Sequence, residues 1–335
     1  MESKRELTKD MTKGSSARLL LVFALPLMLG NLFQQLYTMV DTIIVGQGVG
    51  INALASLGAS DWLNWMFIGF VTGITQGFSI IFAQFYGAGD AKSLRSSIGN
   101  ALMLTALAAI FFTVAGQLAI VPVLKLLETP ADIFAGSESY LRIMLGGVAV
   151  SLMYNFEAAL LRALGDSRTP VIFLVISSVV NIGLDLVFII VFKMGVAGAA
   201  WATAIAQAVA GIGCAWYMVK KFEILHIQKD EWAFNAHMMG SLCAMGVPMG
   251  LQYSITAIGS VILQTATNTL GSSAVAAVTA AGKVCNFLAC PYDAMGSTMA
   301  TYGGQNVGAG KLERLDKGLG SCVILGAADA VIAVL

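Results

Sequence analysis

The chain has 335 residues, of which 57% are hydrophobic and 11% charged, and its 19 basic and 19 acidic residues give a net charge of zero. An average soluble domain carries about 25% charged residues, so this composition argues against a soluble enzyme, a nucleic-acid-binding protein and a disordered chain. The five cysteines show neither CxxC spacing nor a neighbouring histidine cluster, which indicates buried free thiols. The composition instead predicts a polytopic membrane protein.

Nine apolar runs are long enough to form membrane-spanning helices, since a helix needs about 20 residues to cross a bilayer. The predicted spans cover residues 18–46, 54–83, 96–121, 137–160, 170–192, 197–219, 239–268, 275–303 and 318–335. The first run is too long for a signal peptide and lacks a cleavage site, so we expect it to be retained. The ninth run stops with the chain at Leu335 and is barely long enough to cross.

The basic residues are distributed unequally between alternate loops of this arrangement. Of the 19 lysines and arginines, 15 fall on the side of the amino terminus and 4 on the other side. Because cytoplasmic loops are enriched in Lys and Arg, the amino terminus is predicted to be cytoplasmic. The alternation also supports the number of spans, since one missed helix would scramble it.

The chain contains an internal repeat. The segment AQFYGAGDAKSLRSSIG from Ala83 matches GQNVGAGKLERLDKGLG from Gly304 at an offset of 221 residues, and Pro26 corresponds to Pro248 at an offset of 222. Six spans separate the copies, so both run in the same direction through the membrane. Parallel repeats of this kind are typical of secondary transporters.

The repeat predicts an all-α membrane protein of two parallel six-helix lobes, the second incomplete. We expect a cytoplasmic amino-terminal segment over 1–17, an N-lobe over 18–219, a cytoplasmic linker over 220–238 and a partial C-lobe over 239–335. His226 and His237 lie in the polar linker, where we expect them to be solvated.

Ionisable side chains inside apolar helices cost about 2.5–3.5 kcal/mol each on insertion scales and are therefore functional candidates. Counting back from the outer helix ends at 1.5 Å per residue places Asp41, Asp61, Asp185 and Lys283 at depths of about 8–12 Å. These four charges are predicted to share one layer in the outer half of the membrane.

Asn181 and Asp185 are four residues apart and so share one helix face. An amide beside a carboxylate can stabilise either the protonated form or a bound cation, and a carboxylate removed from water holds a proton more readily. With Asp41, they form a predicted coupling site for H⁺ or Na⁺. Its alternative role is polar contact between helices.

Other polar residues are predicted to line a substrate pocket, with packing between helices as their alternative role. Tyr37 lies one turn before Asp41, Gln34 lies further along the same helix, and Asn155 is in the fourth span. Lys283 corresponds by the repeat to Trp62, beside Asp61, and could neutralise Asp41 or Asp185 in one conformation. The alternative for Lys283 is snorkelling to the outer interface.

The remaining candidates have structural alternatives. Asp293 and Asp329 fall nearer the midplane and could form a second-lobe site or make polar contacts only, whereas Glu157 and Arg162 are expected to be interface anchors. The intramembrane Pro26 and Pro248 could kink their helices at matching places and act as gating points. A double GxxxG motif along the second span predicts close helix packing.

Four segments form a joint pattern along essentially the whole chain: PLMLGNLFQQLYTMVDTIIVG, GITQGFSIIFAQFYGAGD, NIGLD and QNVGAG. In these segments the chain resembles the multidrug and toxic compound extrusion (MATE) transporters. The resemblance implies twelve helices in two six-helix lobes, a V-shaped cleft, and antiport of organic cations against H⁺ or Na⁺ by alternating access. It places the first-helix acid on Asp41 and the fifth-helix pair on Asn181 and Asp185, and implies that the last three helices are missing.

We expect a multi-pass plasma-membrane exporter, a monomer that takes organic cations and needs no cofactor beyond the coupling ion. No metal site is expected, except Na⁺ at Asp41, Asn181 and Asp185. A flippase for lipid or polysaccharide precursors is the nearest alternative and would need a basic cavity. An intramembrane enzyme is disfavoured because neither histidine lies in a span, and no HExxH, GxSxG, Walker or Rossmann motif occurs.

Overall fold

The computed structural model describes residues 8–268 and 272–334. Within these ranges, the side chains at 61–62, 229–230, 261–262, 264–265, 268, 272–277, 279–280, 283 and 332–334 lie outside the described residues. The described part of the chain is helical and contains no strand. This architecture confirms the predicted fold class.

The N-lobe contains seven α-helices in the described part of the chain. They are α1 (Ser16–Gly48), α2 (Ile51–Ala88), α3 (Ala91–Leu126), α4 (Ala131–Gly146), α5 (Val148–Ala163), α6 (Arg168–Asp185) and α7 (Val196–Lys221). Asp90 caps α3 by accepting a hydrogen bond from the Ser93 backbone N–H at 3.0 Å, which satisfies one of the free donors at the helix start.

Two of the predicted spans are interrupted. The fourth consists of α4 and α5, which meet at Gly147 with a bend of 48°. The fifth continues from α6 into a π-helical segment, Leu186–Val191, that begins directly after Asp185. Single π-helical turns occur frequently at functional sites, so this interruption directs attention to Asp185.

The C-lobe is represented by three helices in the described residues, α8 (Ala236–Asn268), α9 (Ser272–Gly308) and α10 (Glu313–Val334). Two short 3₁₀ turns, Glu223–Leu225 and Lys229–Trp232, lie in the linker between α7 and α8. The nine predicted spans therefore all correspond to helical segments.

Seven of these segments, within the described residues, are long and apolar enough to cross a membrane when the bent pair α4–α5 is counted once. The other two, α9 and α10, have 37 and 22 residues and are not among these apolar spans. Large apolar side chains such as Leu107, Ile110 and Leu118 of α3 are exposed on the outer surface, where lipid would cover them.

The double GxxxG motif of α2, formed by Gly69, Gly73 and Gly77, packs directly against α8. A Cβ atom added at Gly73 would lie 2.5 Å from the Met249 carbonyl oxygen, and one at Gly77 would lie 2.5 Å from the Gly246 Cα atom. The backbones of the two helices therefore touch, which confirms the close packing predicted from GxxxG. This contact joins the N-lobe to the C-lobe.

The repeat reappears as a symmetric contact between the lobes at one end of the molecule, which we call the closed end. There Gly87 of α2 packs on the Gln305 backbone of α9, and Gly308 of α9 packs on the Gln84 backbone of α2. Each glycine is the repeat partner of the other, as is each glutamine, so a pseudo-two-fold axis passes between them. A side chain at either glycine would overlap the opposite backbone.

Residues 8–15, which we call the amino-terminal strap, cross the closed end between the lobes. The Met11 backbone N–H donates to Gln305 Oε1 at 2.9 Å, and Lys311 Nζ donates to the Thr12 carbonyl oxygen at 2.9 Å. On the other side, the Lys9 backbone N–H donates to the Gly165 carbonyl oxygen at 3.0 Å. The strap is thus hydrogen-bonded to both lobes.

Candidate functional site

Two carboxyl groups meet in the interior of the N-lobe. Asp185, at the end of α6, has no exposed surface, and Asp41 of α1 is half-buried. The two groups lie within hydrogen-bonding reach of each other, and one oxygen of each, Oδ1, has no hydrogen-bond partner among the described residues. The structure therefore brings together the two acids that the sequence placed at one depth.

Asn181 completes this cluster from the preceding turn of α6. It is 2% exposed, and with its amide oriented to satisfy both neighbours it donates to Asp185 Oδ2 at 3.3 Å. In the same orientation its oxygen accepts from the backbone N–H of Thr203 on α7 at 3.3 Å. Thr203 was not predicted, because the sequence does not show which residue of α7 faces Asn181.

A polar cavity of about 310 Å³ lies between the two lobes. Among the residues predicted to form a site, Gln34, Tyr37, Asn155 and Asp293 line it. Its walls contain further polar side chains, namely Asn31, Gln35, Thr72, Gln76, Tyr154, Arg162, Ser177, Gln207, Tyr253 and Ser297. Both lobes contribute, so a molecule in the cavity would contact both.

Tyr37 connects the cavity with the acid pair. It lines the cavity wall, and it lies close enough to Asp41 and Asp185 to be affected by the charge of both. Neither acid is among the cavity-lining residues. The predicted site therefore has two compartments, a cavity and a buried acid pair behind Tyr37.

Hydrogen bonds join the lobes at the cavity. Gln76 Nε2 donates to Ser297 Oγ at 3.2 Å, and Asn31 Nδ2 donates to the Cys290 carbonyl oxygen at 3.4 Å. Gln76 and Ser297 are repeat partners at the offset of 221. The symmetric contact of the closed end thus continues to the cavity.

Arg162 and Glu157 differ from the sequence expectation. Neither is an interface anchor, because Arg162 lines the cavity and Glu157 is 7% exposed within the protein, with an Oε2 atom that has no partner among the described residues. Both lie on α5, which the bend at Gly147 separates from α4. The sequence shows an arginine at the end of a strongly apolar helix, but it does not show that the Arg162 side chain lies in the cavity wall.

The other predicted residues do not join one site. Asp329 of α10 lies beside Tyr292 rather than in the cavity, so it is apart from Asp293. Pro26 and Pro248 lie within helices that continue on both sides of them. The side chains of Asp61 and Lys283, and hence the proposed neutralisation by Lys283, lie outside the described residues.

Within the described residues, no group of three or more His, Cys, Asp or Glu side chains could hold a metal ion. The acid pair and Asn181 together offer two carboxylates and one amide. This donor set suits a proton or a monovalent cation better than a transition metal, which favours nitrogen and sulfur ligands.

Comparison with known proteins identifies the family. A sequence profile of the MatE family matches residues 26–187 and 248–335, which is most of the chain. The chain belongs to the MatE family. It is 31% identical over 310 residues to Probable multidrug resistance protein YpnP of Bacillus subtilis, an alignment that covers 91% of this chain and 68% of the relative.

Other relatives agree with this membership. Probable multidrug resistance protein NorM of Thermotoga maritima is 28% identical over 251 residues, covering 72% of this chain and 52% of that protein. A solved structure of a MOP superfamily transporter from Pyrococcus furiosus superposes with a TM-score of 0.92 at 22% identity, covering 100% of this chain and 74% of that one. MatE proteins are transporters rather than enzymes.

Proposed function

We propose that this MatE protein is a secondary active exporter that exchanges organic cations and related drugs for H⁺ or Na⁺ by alternating access. The substrate binds in the cavity between the lobes, and the coupling ion binds at Asp41, Asn181 and Asp185. Tyr37, Gln34 and Asn155 contact the substrate from the N-lobe, and Asp293 from the C-lobe. No cofactor beyond the ion is needed.

The observation that supports this proposal best is the buried acid pair. Two carboxylates side by side in an apolar region repel each other, so the site favours a state in which a proton or a cation neutralises one of them. The Oδ1 atoms of Asp41 and Asp185, which have no hydrogen-bond partner in the part of the chain that the structure describes, can accept it. The Tyr37 side chain lies between the acid pair and the cavity. Ion binding at the pair and substrate binding in the cavity can therefore influence each other through Tyr37.

Alternating access requires the closed end to open. We infer that this end faces the cytoplasm of a plasma membrane, because most basic residues lie on its side. The lobes, with the boundaries predicted from the sequence, would then rock about the α2–α8 contact as a monomer. Pro26 and Pro248, each of which leaves a backbone carbonyl unpaired, are positioned to let α1 and α8 bend.

A flippase for lipid or polysaccharide precursors is less well supported. It would need a basic cavity for the phosphate-bearing headgroup, whereas this cavity contains one guanidinium, Arg162, and one carboxylate, Asp293. A site of balanced charge does not select a headgroup with several negative charges.

Dye efflux from proteoliposomes tests the proposal. The purified protein is reconstituted, loaded with a cationic fluorescent dye, and given a Na⁺ gradient, a pH gradient or neither. We expect efflux with one of the two gradients and none without. Efflux that ignores both gradients would contradict ion coupling.

A further inference from the structure

Arg162 places a positive charge in the wall of the cavity between the lobes. It lies in the last turn of α5 and lines the cavity from the N-lobe. Within the described part of the chain, its guanidinium makes no hydrogen bond and no ion pair. Arginine stays protonated in proteins, so this positive charge persists at the substrate site.

A guanidinium withdrawn from bulk water is costly unless another group satisfies it. Its five donors form a planar fork that matches a carboxylate or a phosphate with two parallel hydrogen bonds. The neighbouring Tyr154 hydroxyl donates to the Pro170 carbonyl oxygen at 2.9 Å, and no hydrogen bond joins it to Arg162 among the described residues. The fork of Arg162 is therefore available to a ligand.

A negative charge stands on the other wall of the same cavity. Asp293 of α9 is exposed toward it from the C-lobe. Among the described residues, no ion pair of 4.0 Å or less joins Asp293 to Arg162. The cavity thus presents a cation on the N-lobe and an anion on the C-lobe, and the other titratable groups in its lining are Tyr37, Tyr154, Tyr253 and Cys290.

We infer that Arg162 binds an anionic group of the substrate, a carboxylate or a phosphate, so that the cavity prefers amphoteric molecules to purely cationic ones. This inference rests on the proposed function, since it assigns a substrate class to the same cavity. A molecule with both charges would contact Arg162 through its acid and Asp293 through its cation. Such a substrate would bridge the lobes.

Dye binding by the purified protein in detergent tests the inference without any gradient. The probes are tetramethylrhodamine, a zwitterion with a free carboxylate, and its methyl ester, a cation of nearly the same shape. We expect wild-type protein to bind the acid at least tenfold more tightly than the ester. Arg162→Gln should weaken binding of the acid at least tenfold and binding of the ester less than twofold.

Further variants separate recognition from folding. Arg162→Lys retains the charge and should keep part of the preference for the acid, whereas Asp293→Asn should weaken both dyes because both are cationic. The matched control is Arg168→Gln, since Arg168 is exposed and lies outside the cavity lining. Equal weakening of both dyes by Arg162→Gln, or a wild type without preference for the acid, would overturn the inference.

The source of the anionic group can be examined in the same assay. Displacement of the acid dye by short-chain phosphatidic acid, in wild type but not in Arg162→Gln, would extend the site to a lipid headgroup. Displacement by benzoate alone would confine it to soluble carboxylates. Both outcomes support anion binding at Arg162. Arg162-dependent binding without gradient-driven efflux would instead contradict the proposed exporter and leave this inference standing.

Discussion

The Tyr37 hydroxyl is a polar group that lies close to both acids and belongs to a side chain of the cavity wall. Tyr37→Phe retains the ring and removes this group. We expect dye binding to stay within about threefold of wild type while gradient-driven efflux falls about tenfold, a size typical of lost coupling between sites. Comparing the binding constant with the efflux rate in the same preparation measures this effect.

Tyr154→Phe is the matched control, because the Tyr154 hydroxyl also belongs to the cavity wall but is bonded to Pro170. It should leave gradient-driven efflux close to the wild-type rate. If both variants lose efflux equally, the loss reflects the shape of the cavity rather than a connection to the acid pair.

Sequence spacing predicted part of this residue-level arrangement. Asn181 and Asp185 share a face because they are four residues apart, and Asp41 was placed at their depth by counting along its helix. The sequence did not predict that the Arg162 side chain lies in the cavity wall, or that Asp293 and Asp329 lie in different places. Each depends on how a helix is rotated about its own axis, which is determined by neighbouring helices rather than by local sequence.

At the scale of whole helices, the contact of α2 with α8 should be sensitive to a single methyl group. Gly73→Ala places a Cβ atom 2.5 Å from the Met249 carbonyl oxygen, so the helices must separate. Overpacking of this kind typically costs about 1–3 kcal/mol. We expect a lower melting temperature in detergent.

Gly58→Ala provides the control on the same helix, because a Cβ atom at Gly58 has no heavy atom within 4 Å. Its melting temperature should equal or slightly exceed that of wild type, since alanine is the better helix former. Equal melting temperatures for Gly73→Ala and wild type would show that the helices do not pack as closely as described.

The linker is attached to α3 by an ion pair with a defined pH dependence. Arg95 Nε donates to Glu231 Oε2 at 2.7 Å, and hydrogen bonding to Arg95 and to the Gln228 backbone lowers the pKa of Glu231 below its ordinary value. A carboxyl group whose pKa is lower in the folded state stabilises the protein above its unfolded-state pKa of about 4.3. This stabilisation is lost as the pH falls through the folded-state value.

Glu231→Gln should therefore lower the melting temperature at pH 7, and the difference from wild type should shrink below about pH 4. Thermal unfolding of both proteins across this range provides the measurement. A constant difference at all pH values would show that the glutamate side chain acts through packing rather than through its charge.

Helix existence was predictable from apolar length, but helix interruptions were not. The bend at Gly147 and the π-helical segment after Asp185 both lie within runs that read as continuous spans. The hydrophobic pattern is the same on both sides of each interruption. Local backbone geometry there depends on packing against α7 and on the buried acid, which the sequence alone does not show.

At the scale of the whole molecule, Gln305 holds the closed end together. Its side chain accepts from the Met11 backbone N–H and donates to the Ala163 carbonyl oxygen at 2.8 Å. Gln305→Ala should loosen the amino-terminal strap and favour opening of this end. Spin labels at Ala88 and Ala309 should report a longer or broader distance distribution than in otherwise unchanged protein.

The repeat supplies the control for that experiment. Gln84 occupies the equivalent position in the first copy, and no hydrogen bond of its side chain is found among the described residues. Gln84→Ala should leave the distance distribution unchanged. The repeat predicted that the two copies run in the same direction, but it predicted neither the contact of α2 with α9 nor the position of the strap.

The central claim is that the buried acid pair couples ion entry to substrate export. Gradient-driven dye efflux by Asp185→Asn, compared with Asp329→Asn, tests it most directly, because Asp329 is an acid of a C-lobe helix that does not line the cavity. We predict that Asp185→Asn loses efflux at least about tenfold while Asp329→Asn retains the wild-type rate. Unchanged gradient-driven efflux by Asp185→Asn would contradict the proposed coupling site.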